Sequence, residues 1–569
     1  MSLTVNLRPK IHRKQWEPIF TQTPVAVATG CVFCAPTLPI PPGDGNQAYY
    51  IAGTSSIFQF AQKEEAFGQI PNSGSAGSFG AGCAMFWHPS GPTGTASAGT
   101  TTTLTTTSTI NRDLRGYRMR ITGGTNKGGE YIIKSNTWGA NAVITIQDTL
   151  GAAFDNTSVY LLLTGHLWLY VPGGTSGFNY YDWALNTWTS RSIASGPAVT
   201  SNEGCLIGPC AANCPSDLGT ASAGAATTLT DSSRNWPVNI WTRSMVVILS
   251  GTGVGQYRYI SSNTSTVLTV DTAWGTNPDN TSVYYIFGQW ADVASAGSTT
   301  TITAGSGTPW TASQWINYQV RAVAGTGAGQ VAVITANTTS QLTFGAVGTG
   351  FDATTRYVIE GDDNALYFLG GTAVTLFKYS ISGNTWSTVT PGVARAGAPA
   401  AGASGTYIGS VFDSLWMGVG AVSAGGPNGI KCNGRYIYSF RGGTTGTLDV
   451  YDIAAVTWVS AFSYSGASNE TFQTGTTYAD LDGVIYLQKD ATGRFFRFEV
   501  ARNEMIPWST NNTTQGAAID GARMIVMPYF DPTNGKKLRF IYWMLNTSSF
   551  MYRILEIARD LVAPMWNGF

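Results

Sequence analysis

The sequence predicts an all-β protein, and three observations carry that prediction: little charge, many glycines and aromatics, and no helical period. Charged residues make up 11% of the 569 positions, well under the roughly 25% usual for globular domains. Glycine fills 68 positions, and Trp, Tyr and Phe fill 18, 26 and 25. Aromatic and Thr side chains suit pleated, half-buried strands, and Gly suits the tight turns between them. No window sustains a 3.6-residue apolar period, so long helices are not expected. The length leaves room for several domains or one large repeat architecture with a sizeable core.

The most visible repeat opens with Ala96-Ser97-Ala98-Gly99, returns as Ala221-Ser222-Ala223-Gly224, and returns again as Ala294-Ser295-Ala296-Gly297. Each copy starts a Thr-rich segment that closes on a similar strand, at 155–160, 279–284 and 352–357. Between these ends lie Gly-rich turns and then a polar turn at Asn136, Asn263 or Asn337. Self-similarity of this kind marks a small module used three times, here over 93–163, 218–288 and 289–361.

A fainter repeat fills the remainder: 1–92 (an N-terminal arm and a first unit), 164–217, and 362–569. Tyr181 precedes Trp188, Tyr379 precedes Trp386 and Tyr451 precedes Trp458 at one spacing, which Phe60 and Phe67 keep. Upstream of the three Tyr/Trp pairs an apolar strand ends in a glycine pair, closing at Gly174, Gly371 and Gly443, with a weaker copy at Gly53. Later units lengthen the turn and end at Trp508 and Trp566. This reads as a four-stranded antiparallel blade, with glycines at the tight turn, then the Tyr strand, then a Trp packed between blades. No blade buries both faces alone, so several must close into a ring.

The Gly-Gly, Tyr-Asp and Trp order resembles kelch-type β-propeller repeats, which implies a kelch-like β-propeller of about six blades. The module ends fall between the first and second strands of a blade. One blade loop therefore carries module 1 and another carries modules 2 and 3, all projecting from one face. Loops accept such insertions because closure entropy grows slowly with length.

Chemistry is sparse. The net charge is zero, so no global field draws the chain to nucleic acid or an anionic membrane, and DNA contact is neither indicated nor forbidden. No segment approaches 18 consecutive apolar residues, so no membrane span is expected. The basic stretch with Arg8, Lys10, His12, Arg13 and Lys14 has no apolar run after it. It reads as a solvated arm or subunit contact rather than a secretory signal. Cys31, Cys34, Cys205, Cys210 and Cys214 resemble a metal cluster in spacing, but Cys31 and Cys205 share a register in different units. A small apolar residue on a crowded strand is the preferred reading, so neither metal nor cofactor is expected.

His88 and His166 flank module 1, whose ends must meet, and with no carboxylate beside them in sequence they read as loop residues. Asp362, Asp363, Asp480, Asp482, Glu64 and Glu65 read as turn formers rather than a facing glycosidase pair. The runs 251–256 and 325–330 join strands and lack a following Lys-Ser/Thr, so they are hairpin turns rather than phosphate loops. Catalysis is therefore not expected. Trp236, Trp241, Trp310 and Trp315 either fill module cores or, where exposed, offer rings for glycan stacking; they are the candidate glycan contacts.

The segments 94–109, 219–236 and 294–307 resemble Thr/Gly-rich β repeats of tailed-bacteriophage virion proteins. The resemblance implies a structural component of the particle: a tail, neck, nozzle or adaptor protein. It would assemble as a homo-oligomer with other virion proteins in the host cytoplasm and reside in the virion. Two further readings remain, recognition of host-surface glycans by the projecting modules, and a propeller hydrolase or oxidase.

Overall fold

A computed structural model describes residues 17–18, 32–34, 47–51, 57–61, 66–70 and 84–396, except 89, 116, 127–129, 172–176, 198–203, 208–216, 235, 237, 240, 289, 361–364 and 371–373. Beyond these it describes 406–408, 436–440, 447–453, 456–463, 477–481, 484–488, 494–499, 504–510, 523–531, 536–544 and 551–557. Every named element among the described residues is a β-strand, so the protein is all-β, built from several antiparallel sheets.

Six of those sheets have four strands. The first joins Val32–Cys34, Gln47–Ile51, Ile57–Ala61 and Ala66–Gln69. The second begins with Ala84–His88 and continues through His166–Tyr170, Phe178–Asp182 and Thr187–Ser190. The third begins with Gly204–Ile207 and continues through Ala365–Gly370, Phe377–Ser380 and Thr385–Thr388. The fourth holds Thr406–Ile408, Tyr436–Phe440, Thr447–Asp452 and Thr457–Ser463, and the fifth Thr477–Leu481, Val484–Gln488, Arg494–Glu499 and Glu504–Thr510. The sixth takes three strands from the end of the chain, Arg523–Asp531, Lys536–Met544 and Met551–Ile557, and its fourth, Glu17–Pro18, from the beginning. Sequence spacing alone carries the last unit on to Trp566. Trp566 lies outside the described residues; in the structure Glu17 pairs with Arg553, so the N-terminal arm supplies an edge strand of the sixth sheet.

The first strands of these sheets are neighbours. Ala84–His88 packs beside Val32–Cys34 and Gly204–Ile207, the latter beside Thr406–Ile408, and Arg523–Asp531 beside Val32–Cys34 and Thr477–Leu481.

The three modules share one fold. The first two have seven strands each, in equivalent order, and the third is a closed six-stranded barrel. The difference is one of continuity. In the third module Trp290–Gly297 runs unbroken through the repeated Ala-Ser-Ala-Gly and pairs on both sides. In the others the same stretch is split, into Thr93–Thr95 and Ala98–Gly99, and into Asp217–Thr220 and Ala223–Ala225. The repeat is therefore where a strand crosses from one half of the barrel to the other. Its first Ala is buried in each copy (Ala96, Ala221 and Ala294), and its amide donates to the carbonyl of Ser158, Ser282 or Thr355. Its glycine meets the loop that leads into the closing strand: a Cβ on Gly99, Gly224 or Gly297 would lie 2.5, 2.5 or 2.8 Å from Phe154, Pro278 or Phe351.

Candidate functional site

Each module is fastened by the same polar clasp. The Asp155 carboxylate accepts from Thr125 Oγ1 at 2.7 Å and from the Thr157 amide and hydroxyl, while Ser158 Oγ donates to the Thr125 carbonyl. Asp279 repeats this with Thr252, Thr281 and Ser282. Asp352 repeats it with Thr326, Thr354 and Thr355. Hydrogen bonds from Thr157, then Thr125, hold the Asp155 carboxyl down at about 2, and equivalent bonds lower Asp279 and Asp352. The polar-turn asparagines act as a second stitch. Asn136, Asn263 and Asn337 each accept from a backbone amide across the module, at Leu114, Trp241 and Trp315, all at 2.8 Å.

The four tryptophans named as candidate glycan contacts are core residues, the other of the two readings the sequence allows them. Trp236, Trp241, Trp310 and Trp315 are 2%, 1%, 5% and 1% exposed. Stacking a sugar needs an open ring face, and these faces meet protein: Trp236 is edge-on to Trp241, and Trp315 to Tyr318. Their presence in two modules reflects interior volume.

At the root of module 1 the chain ends do meet. His88, His166 and Asp182 lie opposite one another across three strands of the second sheet. His166 Nε2 is 3.0 Å from Asp182 Oδ2, a carboxylate partner that sequence spacing concealed because Asp182 belongs to the repeated Tyr-Asp pair. His88 is buried, and neither ring nitrogen has a hydrogen-bond partner among the described residues. Burial, and next the neighbouring His166, lower its pKa to about 3, so the ring is neutral. The same face carries Trp168 and Tyr180, with His166 stacked on Tyr180 at 4.3 Å and Trp168 edge-on to Tyr379 of the third sheet. This row is packed between sheets rather than open to a substrate cleft. Among the described residues no three His, Cys, Asp or Glu side chains converge as metal ligands. Cys31, Cys83, Cys210, Cys214 and Cys432, with Asp362, Asp363, Asp482, Glu64 and Glu65, lie outside the described residues. Of Cys34, Cys205 and Asp480 only the strand positions are described.

Arginines lock neighbouring units at the Tyr–Asn–Trp hairpins. Arg191, leaving the second sheet, donates to Tyr379 OH at 2.8 Å and the Ile381 carbonyl at 2.7 Å. The Ser192 amide donates to Asn384 Oδ1, and Trp386 Nε1 donates back to the Ser192 carbonyl. Arg395 meets the fourth sheet by a different contact, paired with buried Asp449 at 2.8 Å and lying 5.2 Å over Trp458. At the second sheet this role belongs to module 1. Arg112 donates to Tyr181 OH at 2.6 Å and Asn186 Oδ1 at 2.8 Å, and lies over Trp183. Modules 2 and 3 are clamped to each other by the Arg243–Asp292 and Arg356–Asp271 ion pairs around a shared cluster of Met245, Val247, Phe287, Ala291 and Val358.

No protein-family model matches the chain, and no curated protein matches it. Among solved structures it aligns with a point mutant of the NanB sialidase of Streptococcus pneumoniae at 10% identity and a TM-score of 0.22, covering 93% of this chain and 82% of that one. It aligns with the Myxococcus xanthus glutaminyl cyclase at 11% and 0.20, covering 48% and 97%. An auxiliary nutrient binding protein of Bacteroides thetaiotaomicron aligns at 11% and 0.20, covering 84% and 98%. At such values these likenesses lend the chain no activity.

Proposed function

We propose that the six four-stranded sheets are the blades of one kelch-like propeller, that the modules are insertions at two blade loops, and that the whole is a non-catalytic structural component of a tailed-phage particle. A tail, neck, nozzle or adaptor position, occupied in several copies, suits a rigid ring with modules projecting from one face. The observation that carries the reading is the three-fold use of one clasped β module whose sequence resembles phage virion repeats. Its polar groups are spent on fastening: Asp155, Asp279 and Asp352 all bond within their own modules. The pairing of Glu17 with Arg553 supports ring closure, since joining first and last strands is what closing a propeller requires. The test is mass spectrometry of purified particles with averaged electron images of particles carrying a tagged copy. The expected result is a stoichiometric ring on the particle axis or surface. Absence of the protein from purified particles overturns the reading.

A further inference from the structure

We infer that module 1 carries a saccharide-binding platform centred on Trp138. The modules are one another's controls. In modules 2 and 3 the amides of Trp236 and Trp310 donate to the Ser265 and Thr339 carbonyls, and those of Trp241 and Trp315 to the stitching asparagine. In module 1 the equivalent amides belong to Ile110, which donates to Gly139, and Leu114, which donates to Asn136; both side chains are fully buried. Module 1 thus has no tryptophan at its two core positions and has one outside, Trp138, 67% exposed. The turn presenting it is longer than its counterparts. Strands end at Asn136 and resume at Val143, whereas the others run from Asn263 to Val267 and from Asn337 to Gln341. Packing does not call for Trp138 or for the longer turn.

The turn is held rather than loose. Ile110 and Gly139 form a two-way backbone bridge, and Thr137 accepts the Val143 amide on Oγ1 while donating its own amide to the Val143 carbonyl. A turn whose backbone is fixed before binding loses little backbone entropy on binding.

The surroundings select the ligand. Among the described residues of module 1, Trp138 is the one large apolar side chain left exposed. Protein hot-spot tryptophans sit among further apolar contacts. Here the neighbours are polar: Thr137 and Asn141 in the turn and Asn111 opposite across the bridge, all exposed, with the exposed Arg115–Asp113 pair beyond. A lone exposed indole in a turn whose neighbouring exposed residues carry amides and a hydroxyl suits a pyranose. The sugar's C–H bonds lie against the electron-rich ring, and its hydroxyls meet those polar groups. Recognition here needs neither ring closure nor a place in a particle, so its failure leaves the particle reading standing.

The experiment screens the full-length protein on an array of bacterial and animal glycans, then titrates the best-bound saccharide by saturation-transfer NMR and calorimetry against the wild type, Trp138→Ala, Trp138→Phe and Trp236→Phe. Binding should fall roughly tenfold or more in Trp138→Ala. It should survive largely in Trp138→Phe and in a folded Trp236→Phe. Equal binding by wild type and Trp138→Ala overturns the inference, as does failure of the wild type to bind any arrayed saccharide at millimolar concentration. Concentration-dependent self-association abolished by Trp138→Ala, without saccharide binding, overturns it in favour of a second copy of this chain.

Discussion

Tyr181 donates its phenolic hydrogen to Asn186 Oδ1 at 2.6 Å, and Asn186 itself turns the hairpin with a φ of 57°. Tyr379 and Asn384 do the same at 2.8 Å and 51°. One Asn thus meets two needs, a left-handed backbone that Asn tolerates better than most residues and an acceptor for a half-buried hydroxyl.

In the fourth sheet the equivalent position is Val456, with a φ of 51°. A β-branched side chain is strained there, yet Tyr451 and Trp458 keep their usual packing at 5.3 Å. Val456→Asn should relieve that strain, raising stability by about 1 kcal/mol. Urea denaturation followed by Trp fluorescence reads it, and a variant less stable than wild type would refute the argument.

Arg191 reaches two acceptors of the next sheet from a part-buried position, and a charged donor paired with neutral acceptors contributes about 1.5–3 kcal/mol. Arg191→Ala should cost in that range. Arg191→Lys should recover little of it, because a point charge cannot reproduce the fork that serves both oxygens. At the homologous contact, Arg112→Ala should raise amide exchange in 111–115 and 183–186 while leaving the module's own strands protected. Exchange rising uniformly through module 1 would show that Arg112 supports the module rather than its seat.

The clasp predicts two very different alanine effects within one turn. Gly251 has a φ of 78°, and a Cβ there would overlap the Thr281 carbonyl oxygen, whereas Gly255, at 83°, has nothing within 4 Å of the same construction. Gly255→Ala should therefore cost only the left-handed penalty, about 1 kcal/mol. Gly251→Ala should cost about 3 kcal/mol or more, since the carbonyl it meets belongs to the turn organised by Asp279. Thermal melts of the two variants side by side decide it.

Most strands were legible because they are written by period and punctuation: apolar alternation, paired glycines, and Asn at left-handed turns. The site residues were less legible. Burial of Trp236 or Trp310 depends on which partner fills the same volume; their size favours the interior, but the packing partners that decide it are not written locally. Trp138 has no counterpart in the other copies to draw attention to it, although aligning the three at their stitching asparagines exposes the longer turn. The His166–Asp182 contact was hidden because strand register, not sequence distance, makes opposite residues neighbours. Likewise, only pairing could assign Glu17–Pro18 to the last sheet.

Acid should unfold the protein in two overlapping windows. Buried His88 titrates at about 3 in the folded state, against roughly 6.5 in an unfolded chain. Between those values the unfolded state binds a proton that the folded state refuses, so stability is full above 6.5 and falls as pH drops towards 3. The penalty is on the order of a few kcal/mol. The clasp carboxylates act lower. Their folded pKa values are depressed, with Asp155 at about 2, so their contribution is present above the unfolded carboxylate value, roughly 3.9, and is lost as pH falls through the folded one. His88→Leu should flatten the melting temperature between pH 6 and 4.5 and leave the steeper loss below pH 4 in place. Asp155→Asn should do the reverse for module 1. Superimposable melting curves for His88→Leu and wild type across pH 6 to 4.5 would mean that the imidazole is reached by solvent, and the row it shares with His166 would no longer count as buried packing.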